Sequence, residues 1–131
     1  MTARRKIGAV TVLVRDYDAA AAFYTAALGL AVIEDKDLGC GKRWLLLGLP
    51  GGETRILLAR ATGPGQEARI GDQAGGRVFL FLETDDFYRD HRRMTEAGVR
   101  FREAPRHEPY GTVAVFEDLY GNLWDLLEPS G

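Results

Sequence analysis

Val10, Val12 and Val14 fall on every second residue, the spacing of one face of a β-strand. The next stretch, Asp16 to Leu28, is rich in alanine and ends at Gly29, which predicts a helix with carboxylates at its start and glycine after its end. The same sequence of signals returns later in the chain. "LFLETDDF" at 80–87 leads into "YRDHRRMTEA", and Gly98 stops it. Phe87, Met94 and Ala97 form the apolar stripe of this second helix, and His91 falls on that stripe as a packing residue. Short apolar runs at 31–36, 43–49 and 53–60, and at 99–103, 112–117 and 122–128, read as strands.

The recurrence is metric as well as qualitative. Asp16 and Asp86 lie 70 residues apart, as do Gly41 and Gly111; Gly29 and Gly98, and Gly52 and Gly121, lie 69 apart. Two copies of one strand–helix–three-strand unit, offset by one residue, account for these spacings. The stretch 61–76, full of glycine and poor in apolar residues, is expected to link them. Two such units facing each other would enclose a cleft lined by alternate strand residues. The last strand carries a lone carboxylate in an apolar run, "NLWDLLEP", and a buried charge is costly unless something pairs with it. Asp125 is therefore expected to point into a wet cleft while Trp124 and Leu126 pack against a helix.

Composition narrows the partners. With 131 residues, one domain is expected, and a net charge of −2 lacks the basic excess that nucleic acid or an anionic membrane surface calls for. No run approaches the roughly 18 apolar residues of a membrane span, and the first residues carry no signal-peptide core. A soluble, cytoplasmic protein is the expectation. The single cysteine, Cys40, excludes an internal disulfide and a cysteine-based zinc site, and reads as a loop thiol between two glycines.

"VTVLVRDYDAAAAFYTAALGL" together with "YGTVAVFEDLYGNLWDLLEP" resembles the vicinal oxygen chelate superfamily. That group includes glyoxalase I, bleomycin-resistance proteins, fosfomycin-resistance enzymes, extradiol dioxygenases and methylmalonyl-CoA epimerase. The resemblance spans nearly the whole chain. It implies an α+β fold: a single domain over residues 1–131 of two tandem βαβββ modules forming a cleft-enclosing mixed sheet. The modules would run over about 5–60 and about 77–129, and the protein would work as a homodimer.

Enzymes of this superfamily hold a divalent metal at four related positions. The resemblance places those positions on Ala9, on Arg55 or Ile56, on Phe79 and on Asp125. Three of the four offer no usable lone pair, whereas a catalytic metal needs about three protein ligands and hard cations need several oxygens. No metal or other cofactor is expected there. A relocated site would have to draw on Glu83, Asp125, His107 and Glu108; His107 and Glu108 read instead as a solvated loop.

Bleomycin-resistance relatives need no protein-bound metal and sequester a drug in a groove of aromatic and acidic groups. The materials for such a groove are Trp44, Phe79, Phe81 and Tyr110, with Glu83 and Asp125 supplying negative charge. Arg43 and Arg55 are expected to face solvent or pair with acids. The reading favours binding of a small aromatic or cationic molecule, with drug sequestration as its use. The alternative is an enzyme of the same superfamily, a lyase, isomerase or dioxygenase, using Asp125 and Glu83 as an acid–base pair. An interaction module without a small ligand is the third class.

Overall fold

A computed structural model describes residues 4–131. The chain forms two compact units that meet at Ile70 and Gly71, inside the expected linker.

The first unit runs β1 (Ala9–Val14), α1 (Tyr17–Leu28), β2 (Ala31–Gly39), β3 (Lys42–Gly48), β4 (Arg55–Arg60) and α2 (Gly63–Glu67). Its sheet has the order β1-β4-β3-β2, with β1 parallel to β4 and the other neighbours antiparallel. The predicted alternation is realised, because Val12 and Val14 are fully buried while Thr11 is exposed. They share a core with Ala20, Tyr24 and Leu28 of α1 and with Leu45, Leu47 and Leu58 of the sheet. Asp16 caps α1, its Oδ2 accepting from the Ala19 N–H at 2.7 Å. Gly29 ends the helix at φ 74°, a conformation that a side chain would strain. The expected linker is not wholly irregular. Its short helix α2 starts behind Thr62, whose N–H donates to Gln66 Oε1 at 2.9 Å, and Pro64 sits in its first turn.

The second unit repeats the plan: β5 (Val78–Glu83), α3 (Phe87–Glu96), β6 (Arg100–Phe101), β7 (Arg106–Glu108), β8 (Gly111–Glu117) and β9 (Leu123–Pro129). The order is β5-β9-β8-β6, with β7 also pairing β8, and again the first and last strands of the module run parallel. Asp86 caps α3 through the Arg89 N–H, and the Phe87 N–H donates to Glu128 Oε1 of β9 at 2.7 Å. A continuous line of rings joins helix to sheet. Phe87 stacks on His91 at 5.5 Å, His91 lies 4.1 Å from Phe101, Phe101 lies 5.6 Å from Phe116, and Phe116 lies 5.9 Å from Trp124. His91 is a packing residue, and burial lowers its pKa.

Two expectations are corrected here. The strand expected at 99–103 shrinks to the two residues of β6, and His107 and Glu108, read as loop, belong to β7. Pro105, which has no N–H to offer a ladder, lies in the gap between β6 and β7. Beyond it, His107 pairs with Thr112 and Glu108 with Gly111, so the β8 partner supplies the order that local propensity lacks.

The turn before β9 is built on Asp118. This carboxylate is only 5% exposed and accepts from the N–H groups of Tyr120 (3.2 Å) and Asn122 (2.9 Å), from Asn122 Nδ2 (3.0 Å) and from Trp124 Nε1 (3.2 Å). A buried charge with four donors is well satisfied.

Candidate functional site

In β9 the residues alternate between two environments. Trp124 and Leu126 are buried on the α3 side, as expected. Asp125 lies on the opposite face, in register with Phe81 of β5 on one side and Val115 of β8 on the other. Phe81 is 59% exposed, unusual for a phenylalanine, whereas Asp125 is 8% exposed. The acid is thus buried at the base of an apolar sheet face while the ring beside it stands open.

Nothing among the described residues satisfies this acid fully. Asp125 Oδ1 is buried and has no hydrogen-bond partner. Burial pushes the Asp125 carboxyl above its ordinary pKa, Arg106 opposes the rise, and Glu103 adds to it. Arg106 does not neutralise the site, because its charge is engaged elsewhere. Its Nε lies 3.0 Å from both Glu103 oxygens, and its Nη1 lies 3.5 Å from Glu108. Tyr110 also acts on Arg106, joining Glu103 in raising the guanidinium's pKa. Glu103 in turn accepts the Val115 N–H at 3.0 Å, which ties the β6–β7 loop to β8 next to Asp125.

Glu83 is exposed and in register with Leu127, two residues along from the Phe81–Asp125 pair. It is not among the groups that move the Asp125 carboxyl; Glu103 holds that place. Tyr110 is exposed at the β7–β8 turn. Phe79 departs from the expected parity with Phe81. The β5–β9 register slips by one residue between Val78 and Leu80, and Phe79 lines a separate depression of about 300 Å³ with Arg77, Arg102 and Leu123.

Trp44 belongs to the first unit. It is exposed and, with Leu13, Tyr17, Leu38, Leu57 and Arg60, lines a groove of about 780 Å³. Tyr17 lies under two guanidiniums, Arg43 at 5.2 Å and Arg60 at 5.9 Å. Arg43 is paired with acids as expected, at 2.8 Å from both Asp18 and Asp35.

At the family metal positions donor atoms are scarce. Ala9 faces Arg55 across the β1–β4 register, Phe79 sits at the bulge, and only Asp125 offers oxygens. Among the described residues no group of three or more His, Cys, Asp or Glu is placed to hold a metal ion.

The unpartnered acid predicts its own stability signature. A carboxyl whose native pKa is raised keeps its proton in the folded chain after the unfolded chain has lost it. Stability then falls as pH rises from about 4 through the raised native value, and the cost is complete above it. Asp125→Asn is expected to raise stability at pH 7 by on the order of 1 kcal/mol, the scale of one unsatisfied buried group. For a chain of this size that is roughly 3–5 °C in Tm. The gain should disappear near pH 4; an equal gain at both pH values would show that ionisation is not its origin.

Comparison with known proteins agrees with this architecture. The family model for the glyoxalase/bleomycin resistance protein/dioxygenase superfamily matches residues 6–126. An uncharacterised protein of Shewanella frigidimarina (strain NCIMB 400) is 51% identical over 127 residues, which cover 95% of this chain and 94% of that protein. Among solved structures, UcmS2 superposes with a TM-score of 0.83 at 31% identity, covering 96% of this chain and 99% of that one. TnmS3, described as an antibiotic binding protein from Streptomyces sp. CB03234, superposes with a TM-score of 0.82 at 30% identity, covering 99% of this chain and 100% of that one. The family model spans most of the chain, and the chain belongs to the glyoxalase/bleomycin resistance protein/dioxygenase superfamily.

Proposed function

We propose that this protein binds a small aromatic molecule without a metal and acts by sequestering it. One observation carries the reading: an open aromatic ring, Phe81, stands in register beside a buried acid with an unpartnered oxygen. Small-molecule sites combine apolar surface with a few placed polar groups, and that pair supplies both. Tyr110 and Glu83 belong to the same unit and extend the binding surface; Phe79 and Trp44 line depressions of their own. The description of TnmS3 as an antibiotic binding protein supports a drug-like ligand. The proposal includes the homodimeric, cytoplasmic state that the family resemblance implies, and sedimentation equilibrium checks the dimer.

Thermal-shift screening with aromatic compounds, alongside elemental analysis of the purified protein, tests the reading. A ligand that binds the native state raises Tm by mass action, by about 2.7 kcal/mol of stability at one hundred times Kd. Phe81→Ala should remove most of that shift. Stoichiometric zinc, nickel, manganese or iron bound per subunit would overturn the metal-free reading.

A second reading, a metal-free acid–base reaction, is favoured by the raised pKa of Asp125. It requires that Asp125→Asn abolish turnover of a substrate that still binds.

A further inference from the structure

The charges around Asp125 do not balance, and the imbalance is arranged. Four carboxylates lie on or beside this stretch of sheet: Asp125 on β9, Glu83 on β5, Glu108 on β7 and Glu103 in the β6–β7 loop. Among the described residues Arg106 is the cation that acts on Asp125, and both Glu103 and Glu108 pair with it. Glu117, further along β8, is met by Arg100 and Arg102 at 3.9 and 3.4 Å, so those cations are engaged as well. An isolated buried carboxylate beside Phe81 and Val115 is costly, and the nearest guanidinium that could relieve it is held off by a neighbour. Natural sequences keep such uncompensated groups where a function uses them.

We propose that Asp125 is the anchor for a cationic nitrogen on the ligand, an ammonium or amidinium carried by an aromatic ring, and that Glu103 is the residue that keeps this anchor free. The inference rests on the small-molecule reading above and adds the ligand's charge and the residue that sets it. The ring covers Phe81, the nitrogen donates to Asp125, and the ion pair forms in an apolar setting where it is strong. Glu103 does not touch the ligand. It is a positioning residue: by occupying Arg106 Nε with both carboxylate oxygens it prevents an internal Arg106–Asp125 pair from closing the site.

The test uses two probes that share a ring and differ in charge, 2-naphthylmethylamine and 2-naphthylmethanol, with affinities from isothermal titration at pH 7 on the full chain. The native protein is expected to bind the amine at least about tenfold more tightly than the alcohol, the scale of one charge-assisted hydrogen bond. Asp125→Asn should erase that preference. Glu103→Gln should also shrink the preference, because Arg106 is then free to pair with Asp125. The double variant Glu103→Gln/Arg106→Gln should restore it, a rescue that a merely structural role for Glu103 would not give. Circular dichroism on each variant establishes that the fold is kept. Equal binding of both probes by the native protein overturns this inference and leaves the small-molecule reading standing. Binding of neither overturns both. Preference retained in Glu103→Gln overturns the positioning role alone.

Discussion

Asp118→Ala is expected to lower Tm by roughly 10–20 °C, the largest effect of any single side-chain truncation proposed for this chain. The substitution strands four donors at once: the N–H groups of Tyr120 and Asn122, the Asn122 amide and the Trp124 indole. Breaking a buried network by removing its charged acceptor costs about 3–5 kcal/mol. At roughly 3–5 °C per kcal/mol for a domain of this size, the drop follows. Trp124 is buried and reports directly, so its emission should shift to the red in the variant. Asp118→Asn keeps one acceptor oxygen but turns an amide toward the remaining donors, and should fall between Ala and the native chain. A Tm within about 3 °C of native for Asp118→Ala would show that the turn is held by other contacts.

Gly111→Ala is the second large expectation, about 3 kcal/mol or more. Gly111 has φ +150° and pairs in register with Pro129. A Cβ there would overlap the Glu128 carbonyl oxygen and press on the Pro129 Cα, both backbone atoms with no rotamer to yield. The strain would be relieved by parting the ends of β8 and β9. That movement drags Tyr110, whose carbonyl oxygen accepts the Ser130 N–H at 2.9 Å, away from the candidate site. Loss of stability and weaker ligand binding should therefore appear together. Gly8→Ala is the control, since an added Cβ at Gly8 meets nothing within 4 Å. Equal melting temperatures for the two variants would refute the steric account.

The repeat makes most of the fold legible in the sequence. Asp16 and Asp86 are short acids before helical runs, and both cap as the pattern predicts. The valine alternation of β1 reports burial faithfully because one face of that strand meets a helix. Legibility fails where order comes from a distant partner. Arg106–Glu108 carries no strand signature of its own and is ordered by β8. Phe79 and Phe81 look equivalent by parity, and a one-residue register slip, which leaves no trace in the alternation, separates them.

The candidate site divides in the same way. Asp125 is conspicuous as a charge inside an apolar run, and Phe81 follows from strand spacing. Glu103 and Arg106, the pair that decides whether Asp125 is free, lie in and after a loop broken by Pro105. Their local sequence reads as ordinary polar surface. Two hydrogen bonds to Val115, its N–H donating to Glu103 and its carbonyl oxygen accepting the Arg102 N–H, bring that loop against the acid. Glu83 follows from parity too, but it lies on β5 beside Phe81 and is not among the groups that move the Asp125 carboxyl.

The parallel pairing of first and last strands has a consequence for synthesis of the chain. In the first unit β1 waits for β4, some forty residues downstream, and its ladder closes with Ala61, whose N–H donates to the Val14 carbonyl oxygen at 2.9 Å. Once that residue has cleared the ribosome, the four strands of the leading sheet are all made, while the trailing module is still incomplete. Vectorial growth therefore separates two nearly interchangeable strand sets in time, a safeguard against swapping β1 for its look-alike β5.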